Sequence, residues 1–302
     1  MKRWFRKSLI GLGAVLALAA AVVVGAAQYG ERKMQRQVPL GDVATPSLAA
    51  LDDATRVERG RYLFLSRGCT ECHGVNGAGK VFIDDGHGMR ARAPNITPIP
   101  GGVVAAYGEA DWARTLRHGV KPDGRPLMIM PSEDYARLTD ADLAAMVAFL
   151  RQMPAQLGER AELSFPLAVK ALYGLGLIGD AASKIDHSLP PQQPVPEAIT
   201  AEHGRYVANA CMGCHGAQMA GGRIAGAPPD WPAAANLTPA EGSAMQRYPD
   251  AQAFAAMLHS GRRPDGSEVS KVMPFLALKE LNDTDVQALY LHLKALPAVA
   301  RN

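Results

Sequence analysis

The two halves of this sequence repeat one another at a spacing of about 142 residues, and this repeat constrains the fold more than any other feature. The shared motifs occur in the same order in both copies. They are Gly-Arg-Tyr at 60–62 and 204–206, Cys-x-x-Cys-His-Gly at 69–74 and 211–216, Asn-x-Thr-Pro at 95–98 and 236–239, Pro-Asp-Gly at 122–124 and 264–266, and Met-Pro at 130–131 and 273–274. The repeat therefore predicts two related domains.

The motifs divide the chain into five segments. These are a signal or anchor segment at 1–30, a short linker at 31–51, a first domain at 52–155, a Pro-rich linker at 156–197 and a second domain at 198–302. The longer linker ends in a stiff, extended run of prolines. Its apolar stretch, 165–178, is expected to pack across the seam between the domains, with partner docking or membrane contact as alternatives.

The composition is that of a globular protein and excludes one class of partner. Hydrophobic residues make up 48% of the 302 residues and charged residues 20%. Residues 1–36 hold seven basic residues against Glu31 alone, so the rest of the chain is slightly acidic and has no Lys/Arg stripe, which argues against a nucleic-acid partner. Aromatic residues make up only 6%, so we expect another large apolar group to help fill the two cores.

Each domain is predicted to open and close with a helix, and the fold class is all-α. The closing helices carry apolar residues at i, i+3, i+4 and i+7, namely Leu143, Met146, Val147 and Leu150 in the first copy and Val286, Leu289, Tyr290 and Leu293 in the second. The expected starts are Thr139 with Asp142 and Asn282 with Asp285, and the expected stops are Pro154 and Pro297.

The opening helices are predicted from their caps and contain one glycine each. Thr55 with Glu58 forms a capping box ahead of residues 57–67, and Thr200 opens the second copy. Gly60 and Gly204 lie inside these helices, where glycine costs about 1 kcal/mol relative to alanine. A close crossing of two helix backbones is the predicted reason for the glycines, and a frayed helix start is the alternative.

The N-terminus predicts export across a membrane. A basic start, 1–7, precedes an uncharged run, 8–27, which is long enough to span the hydrocarbon layer. We therefore favour an uncleaved anchor over a removed signal peptide. The basic flank stays in the cytoplasm, so the remainder is predicted on the periplasmic side of the bacterial cytoplasmic membrane.

The two Cys-x-x-Cys-His motifs carry the chemistry. Two cysteines three residues apart lie on one helix face and can form thioethers with one porphyrin edge, while the next histidine reaches the iron. This predicts two covalently bound haem c groups, held by Cys69, Cys72 and His73 in the first domain and by Cys211, Cys214 and His215 in the second. A zinc site or a thiol redox motif is the alternative, but neither explains the histidine.

The repeat also selects the second axial ligand of each iron. Met130 lies 57 residues after His73 and Met273 lies 58 residues after His215, whereas Met128 has no counterpart in the second copy. We therefore predict Met130 and Met273 as ligands. Four other methionines are expected to fill core gaps; they are Met146, Met153, Met245 and Met257.

The other histidines are rival ligands. We expect His118 and His259 to lie at helix ends near the haem rather than to bind iron. The remaining four have no counterparts and are expected to be exposed or hydrogen-bonded locally; they are His87, His187, His203 and His292.

These motifs, with the Pro-Asn-Ile-Thr-Pro and Ala-Asn-Leu-Thr-Pro segments, resemble class I cytochrome c domains. The tandem arrangement is similar to the cytochrome subunits of membrane-bound bacterial dehydrogenases. The resemblance implies small helical shells around buried haem, which would supply the missing apolar bulk. It also implies that five residues lie near the haem wall or propionates, namely Asn95, Asn236, Arg125 and the pair Trp112 and Phe254.

Iron with His and Met ligands has no open position for substrate, so the predicted function is one-electron transfer. The expected donor is a membrane-bound dehydrogenase or a quinol-oxidising respiratory subunit. The expected acceptor is a soluble cytochrome, a copper protein or a terminal oxidase. A dihaem peroxidase is the enzyme alternative, and a haem-based sensor or structural subunit is the third reading.

Overall fold

The computed structural model describes residues 2–48, 52–224, 226–228 and 230–300. It is mostly helical, as predicted. The α-helices in chain order are α1 (Lys2–Lys33), α2 (Ala54–Ser66), α3 (Cys69–His73), α4 (Glu109–His118), α5 (Ser132–Tyr135), α6 (Asp140–Gln152), α7 (Leu167–Gly174), α8 (Ala201–Ala208), α9 (Met212–His215), α10 (Ala251–Ser260), α11 (Phe275–Leu278) and α12 (Asp283–Ala295). Helices α2–α6 form a first lobe, and α8–α12 form a second lobe with the same order of elements.

The opening and closing helices of each lobe cross at the glycines that the sequence singles out. A Cβ atom added to Gly60 would lie 1.9 Å from the carbonyl oxygen of Ala145 on α6. A Cβ atom added to Gly204 would lie 1.9 Å from the carbonyl oxygen of Ala288 on α12. The close helix crossing is therefore confirmed in both lobes, and any side chain at either position would push the helices apart.

Side chains cap most of the predicted helix starts. The side-chain oxygens of Thr139, Asn282 and Thr200 accept hydrogen bonds from backbone N–H groups in the first turns of α6, α12 and α8. The prediction for α2 is wrong, since Asp53 rather than Thr55 caps this helix and accepts from the backbone N–H of Arg56. An ionised carboxylate is at least as good a cap as a hydroxyl, and it starts the helix two residues earlier.

Each lobe has its own core between the opening and closing helices. The first contains Phe64, Trp112, Leu143 and Val147, and the second contains Val207, Phe254, Val286 and Leu293. The methionines assigned to core packing are all buried; they are Met146, Met153, Met245 and Met257. The apolar residues predicted for α6 and α12 are also buried, so these helices turn their apolar faces to the cores.

A small antiparallel sheet lies beside the first lobe and was not predicted. Its strands are β1 (Val81–Asp84), β2 (Arg90–Arg92) and β3 (Glu162–Ser164), in the order β1-β2-β3. Strands of three or four residues are too short to show an alternating pattern in the sequence. The third strand comes from the linker and so ties it to the first lobe.

Helix α1 is long and largely uncovered. Its most apolar 18-residue window has a mean hydropathy of 2.6, and none of this window is buried. By length and composition α1 fits a membrane span and equally a signal sequence.

Helix α7 packs on the end of α1 rather than at the seam between the lobes, where residues 165–178 were expected. A Cβ atom on Gly30 would lie 2.1 Å from the carbonyl oxygen of Lys170. Arg36 follows the end of α1. Its guanidinium donates to the Asp180 carboxylate at 2.7 Å and to the hydroxyl of Tyr173 on α7 at 2.6 Å. The end of α1 is therefore tied to the linker.

Candidate haem sites

The two Cys-x-x-Cys-His motifs form short helical turns with matching ends. Helix α3 starts after Gly68 and ends at Gly74, which has a φ of 73°. In the second lobe a 3-10 turn at Asn209–Cys211 leads into α9, which ends at Gly216 with a φ of 75°. Glycine adopts this left-handed backbone without strain, so the chain turns sharply just after each histidine. Both cysteines of each motif lie on one side of their turn.

Each motif histidine is oriented by a backbone carbonyl about twenty residues further along the chain. The Nδ1 atom of His73 lies 3.0 Å from the carbonyl oxygen of Pro94, and Nδ1 of His215 lies 2.8 Å from that of Ala235. A carbonyl can only accept, so Nδ1 carries the proton and Nε2 keeps its lone pair. Burial lowers the pKa of both rings, which favours the neutral form that binds a metal.

Burial disfavours the thiolate form of the motif cysteines. Burial raises the pKa of Cys69 and of Cys211 to about 12 and that of Cys72 to about 11. A reactive redox thiol has a lowered pKa instead. Within the described ranges, no three His, Cys, Asp or Glu side chains cluster as a metal site would require. The raised pKa values argue against the thiol redox alternative, and the described residues offer no ligand cluster for zinc.

The two methionines proposed as axial ligands have the same local backbone. The carbonyl oxygen of Met130 accepts from Ser132 at 2.8 Å, and that of Met273 accepts from Phe275 at 2.9 Å. Each Met-Pro pair leads directly into the short helix α5 or α11. Both side chains are half-buried, and Met130 packs against the same core residues as Cys69. The assignment of both as iron ligands remains a prediction.

The aromatic pair that the resemblance places near the haem occupies equivalent positions in the lobes. The ring of Trp112 lies edge-on to Tyr107 at 5.1 Å, and Phe254 lies edge-on to Tyr248 at 5.5 Å. The indole Nε1 of Trp112 is buried and has no hydrogen-bond partner among the described residues. Such an orphaned donor fits an acceptor that the polypeptide does not supply, such as a haem propionate.

Three other residues that the resemblance places near the haem form hydrogen bonds with protein groups, and their nearness to haem stays a prediction. The amides of Asn95 and Asn236 donate to the carbonyl oxygens of Gln156 and Val299, each at 2.8 Å. These bonds link the segments that follow α6 and α12 to the Asn-x-Thr-Pro turns. The Arg125 guanidinium binds Asp123 and Gln35 near the end of α1. The sequence motifs alone do not show that these three side chains form hydrogen bonds within the protein.

The helix-end positions predicted for His118 and His259 are confirmed, whereas their nearness to haem stays a prediction. His118 ends α4 and lies 3.0 Å from His187 between the ring nitrogens, and His259 lies in the last turn of α10 near the carbonyl oxygen of Leu281. His203 is buried and lies 2.6 Å from a carboxylate oxygen of Asp285. His87 is exposed.

Each Met-Pro loop lies against the other lobe, a contact that no sequence motif indicates. Asp134 on α5 accepts a 2.7 Å hydrogen bond from the backbone N–H of Gly213, inside the second Cys-x-x-Cys motif. A Cβ atom on Gly213 would lie 2.9 Å from this carboxylate. Reciprocally, α11 packs against α2 and α3. Both haem-attachment turns therefore lie at the seam.

Buried carboxylates hold the seam together with near twofold symmetry. The Tyr62 hydroxyl of the first lobe donates to Asp285 of the second at 2.6 Å, and the Tyr206 hydroxyl donates to Asp142 of the first at 2.6 Å. The Arg67 guanidinium also donates to Asp285, at 2.6 Å. Although burial opposes it, this guanidinium helps to hold the pKa of Asp285 below its usual value. The tyrosines belong to the repeated Gly-Arg-Tyr motif, which is the one sequence signal for these residues.

Comparison with known proteins identifies related chains. A model of the cytochrome c family matches residues 57–154 and 201–297. The chain is 26% identical over 277 residues to the fructose dehydrogenase cytochrome subunit of Gluconobacter japonicus. It is 28% identical over 276 residues to the alcohol dehydrogenase (quinone) cytochrome c subunit of Gluconobacter oxydans.

The alignments cover a larger share of this chain than of the relatives. Both alignments cover 82% of this chain but only 54% and 56% of the relatives, so the chain spans about half the length of the curated relatives that it matches. A third relative, the gluconate 2-dehydrogenase cytochrome c subunit of Pantoea cypripedii, is 32% identical over 143 residues, which is 42% of this chain and 32% of that protein.

Proposed function

Because this chain belongs to the cytochrome c family, we propose that it is a dihaem electron carrier. Cytochrome c domains imply covalently bound haem c, and the chain has one complete Cys-x-x-Cys-His turn in each lobe. The observation that carries the proposal is the fixed tautomer of His73 and His215, whose Nδ1 atoms bond to carbonyls and leave Nε2 for iron. When bound, haem supplies one-electron exchange.

The chain's own residues would hold and close each site. The cysteines would anchor the group, and His73 with Met130 and His215 with Met273 would bind the iron. Ligands on both faces leave no position for a substrate. A peroxidase would need one iron to open, and the matching backbone of the two Met-Pro loops gives no reason for one lobe to do so. Carrier function is therefore favoured over catalysis.

The seam supports electron exchange between the two haems of one chain. Each attachment turn contacts the short helix that follows the other lobe's methionine. This arrangement places both attachment turns at the seam, where the charged side chains of Arg67 and Asp285 are buried. An electron that enters one lobe would then reach the other without leaving the chain.

The relatives indicate the kind of partner. They are cytochrome subunits of fructose, alcohol and gluconate dehydrogenases, so a dehydrogenase is the proposed donor. A soluble cytochrome, a copper protein or a terminal oxidase is the proposed acceptor. We place the exchange on the periplasmic side of the membrane, with α1 as an uncleaved anchor, since its uncovered apolar length suits a span.

The test separates a carrier from an enzyme or a ligand sensor. The full chain, produced with the haem-attachment machinery, should be reduced by a one-electron donor and reoxidised by a small soluble cytochrome. It should neither bind carbon monoxide rapidly when reduced nor sustain turnover of peroxide with a reduced donor. Sustained peroxide turnover would instead establish the peroxidase reading, and rapid carbon monoxide binding would establish an open iron.

A further inference from the structure

The segment around α7 exposes a continuous apolar surface. Between Phe165 and Gly179 the one charged residue is Lys170, and its ammonium group pairs with Glu31 at 3.1 Å. The side chains of Leu172, Leu175 and Leu177 are 40%, 57% and 66% exposed. We call residues 172–178 the α7 tip. Exposed leucines that follow one another in this way indicate a contact surface rather than ordinary scatter.

The α7 tip points toward the apolar part of α1. Lys170 pairs with Glu31 near the polar end of α1, whereas a Cβ atom on Gly174 would lie 2.1 Å from the carbonyl oxygen of Ala26. The two helices therefore run antiparallel, and α7 advances from the charged end of α1 toward its uncharged run. Leu175 comes directly after Gly174, and Leu177 follows two residues later.

The length of α1 sets the depth of this contact. Its uncharged run, 8–27, corresponds to about 30 Å of helix, which matches the hydrocarbon thickness of a bilayer. Ala26 is then near one edge of the hydrocarbon. The neighbouring valines, Val22, Val23 and Val24, remain exposed.

We propose that the α7 tip inserts into the lipid on the far side of the membrane, beside α1. The lipid would cover the leucines of the tip and the valines of α1 together, as it covers the apolar face of an interfacial helix. The Asp180 carboxylate, bound by Arg36 and Tyr173, returns the chain to the polar side. Two attachment points would fix the orientation of the lobes. The proposal rests on retention of α1 and not on electron transfer.

The experiment measures the depth of single spin labels in the full, haem-loaded chain in vesicles of phosphatidylethanolamine and phosphatidylglycerol. In the haem-loaded chain the native cysteines would form thioethers, so the introduced cysteine would carry the label. A preparation without haem is tested with the four native cysteines changed to serine, so that the label stays specific. The sites are Leu175→Cys at the tip, Val22→Cys in α1, and Leu291→Cys on α12 as a control with 41% exposure in the second lobe. Accessibility to oxygen is compared with accessibility to a water-soluble nickel complex.

We expect the oxygen-to-nickel ratio at Leu175→Cys to exceed that at Leu291→Cys several-fold and to approach that at Val22→Cys. A ratio equal to that of Leu291→Cys, with Val22→Cys still in lipid, would overturn the insertion. The intact mass distinguishes failure of the insertion from failure of the carrier function. Loss of the residues before Gln28 contradicts the anchor and hence the insertion, whereas missing haem mass contradicts the carrier function alone.

Discussion

At the residue scale, each motif histidine is held by one hydrogen bond from Nδ1 to a carbonyl oxygen, of Pro94 or Ala235. The bond leaves Nε2 as the nitrogen that could bind iron in the proposed haem site. The sequence singles out His73 and His215 as candidate iron ligands because they directly follow their cysteines. It could not predict the carbonyl partners, because their approach depends on the folding of a loop of about twenty residues.

The first prediction concerns the methionine ligands. Met130→Ala and Met273→Ala should each remove about half of the near-infrared absorption from methionine bound to ferric haem. The reason is that each lobe would supply one methionine sulfur to its iron. Met128→Ala is the matched control, two residues from Met130, and should leave the band unchanged. Loss of the band in Met128→Ala but not in Met130→Ala would show that the first-lobe ligand is assigned to the wrong residue.

The second prediction concerns Asp134 at the seam. Burial raises the pKa of this carboxyl to about 7 from 3.8, so the folded chain binds a proton that the unfolded chain releases. Stability that this proton contributes is present below pH 3.8 and is lost as the pH rises to about 7. Asp134→Asn keeps an acceptor for the Gly213 N–H and should flatten the pH dependence of the unfolding midpoint in this window. An equally steep dependence in the variant would assign it to another group.

At the element scale, the caps and glycines of the paired helices fix how each lobe closes. Thr139, Asn282 and Thr200 were predictable because a polar residue directly precedes an apolar stripe. The cap of α2 was not, because Asp53 and Thr55 are both suitable and only the folded backbone selects between them. The strands were not predictable either, since β2 and β3 pair across about seventy residues.

The third prediction tests the helix crossing. Gly60→Ala should destabilise the first lobe by about 1–3 kcal/mol, because the new methyl group meets the Ala145 carbonyl and outweighs the gain in helix propensity. Denaturant unfolding followed at the haem absorption band measures the change. Gly41→Ala is the control, since no atom lies within 4 Å of the position that its new methyl group would take. A stabilised Gly60→Ala would contradict a tight crossing.

At the scale of the whole molecule, the repeat predicted two domains but not their mutual orientation. The cross-lobe hydrogen bonds involve Tyr62 with Asp285 and Tyr206 with Asp142, which are separated by 223 and 64 residues. Nothing in the pattern of one copy shows that its tyrosine will bind the other copy. The packing of α7 on α1 was missed for the same reason, since apolar character alone does not identify the covering surface.

The fourth prediction tests whether the seam joins the lobes into one cooperative unit. Tyr62→Phe and Tyr206→Phe each remove a hydrogen bond to a buried carboxylate, which should cost about 1.5–3 kcal/mol. The double variant should separate one unfolding transition into two by calorimetry. Tyr29→Phe, at an exposed position on α1, should leave the transition unchanged. A single unaltered transition in the double variant would show that the tyrosines do not couple the lobes.

Covalent attachment of two haem groups underlies the whole proposed function. It is measured by the intact mass of the exported chain together with a thiol assay under denaturing conditions. We predict the polypeptide mass plus two haem groups, with no thiol reactive at Cys69, Cys72, Cys211 or Cys214. A mass without haem or with bound zinc, or a thiol assay that finds four reactive thiols, would contradict this assignment.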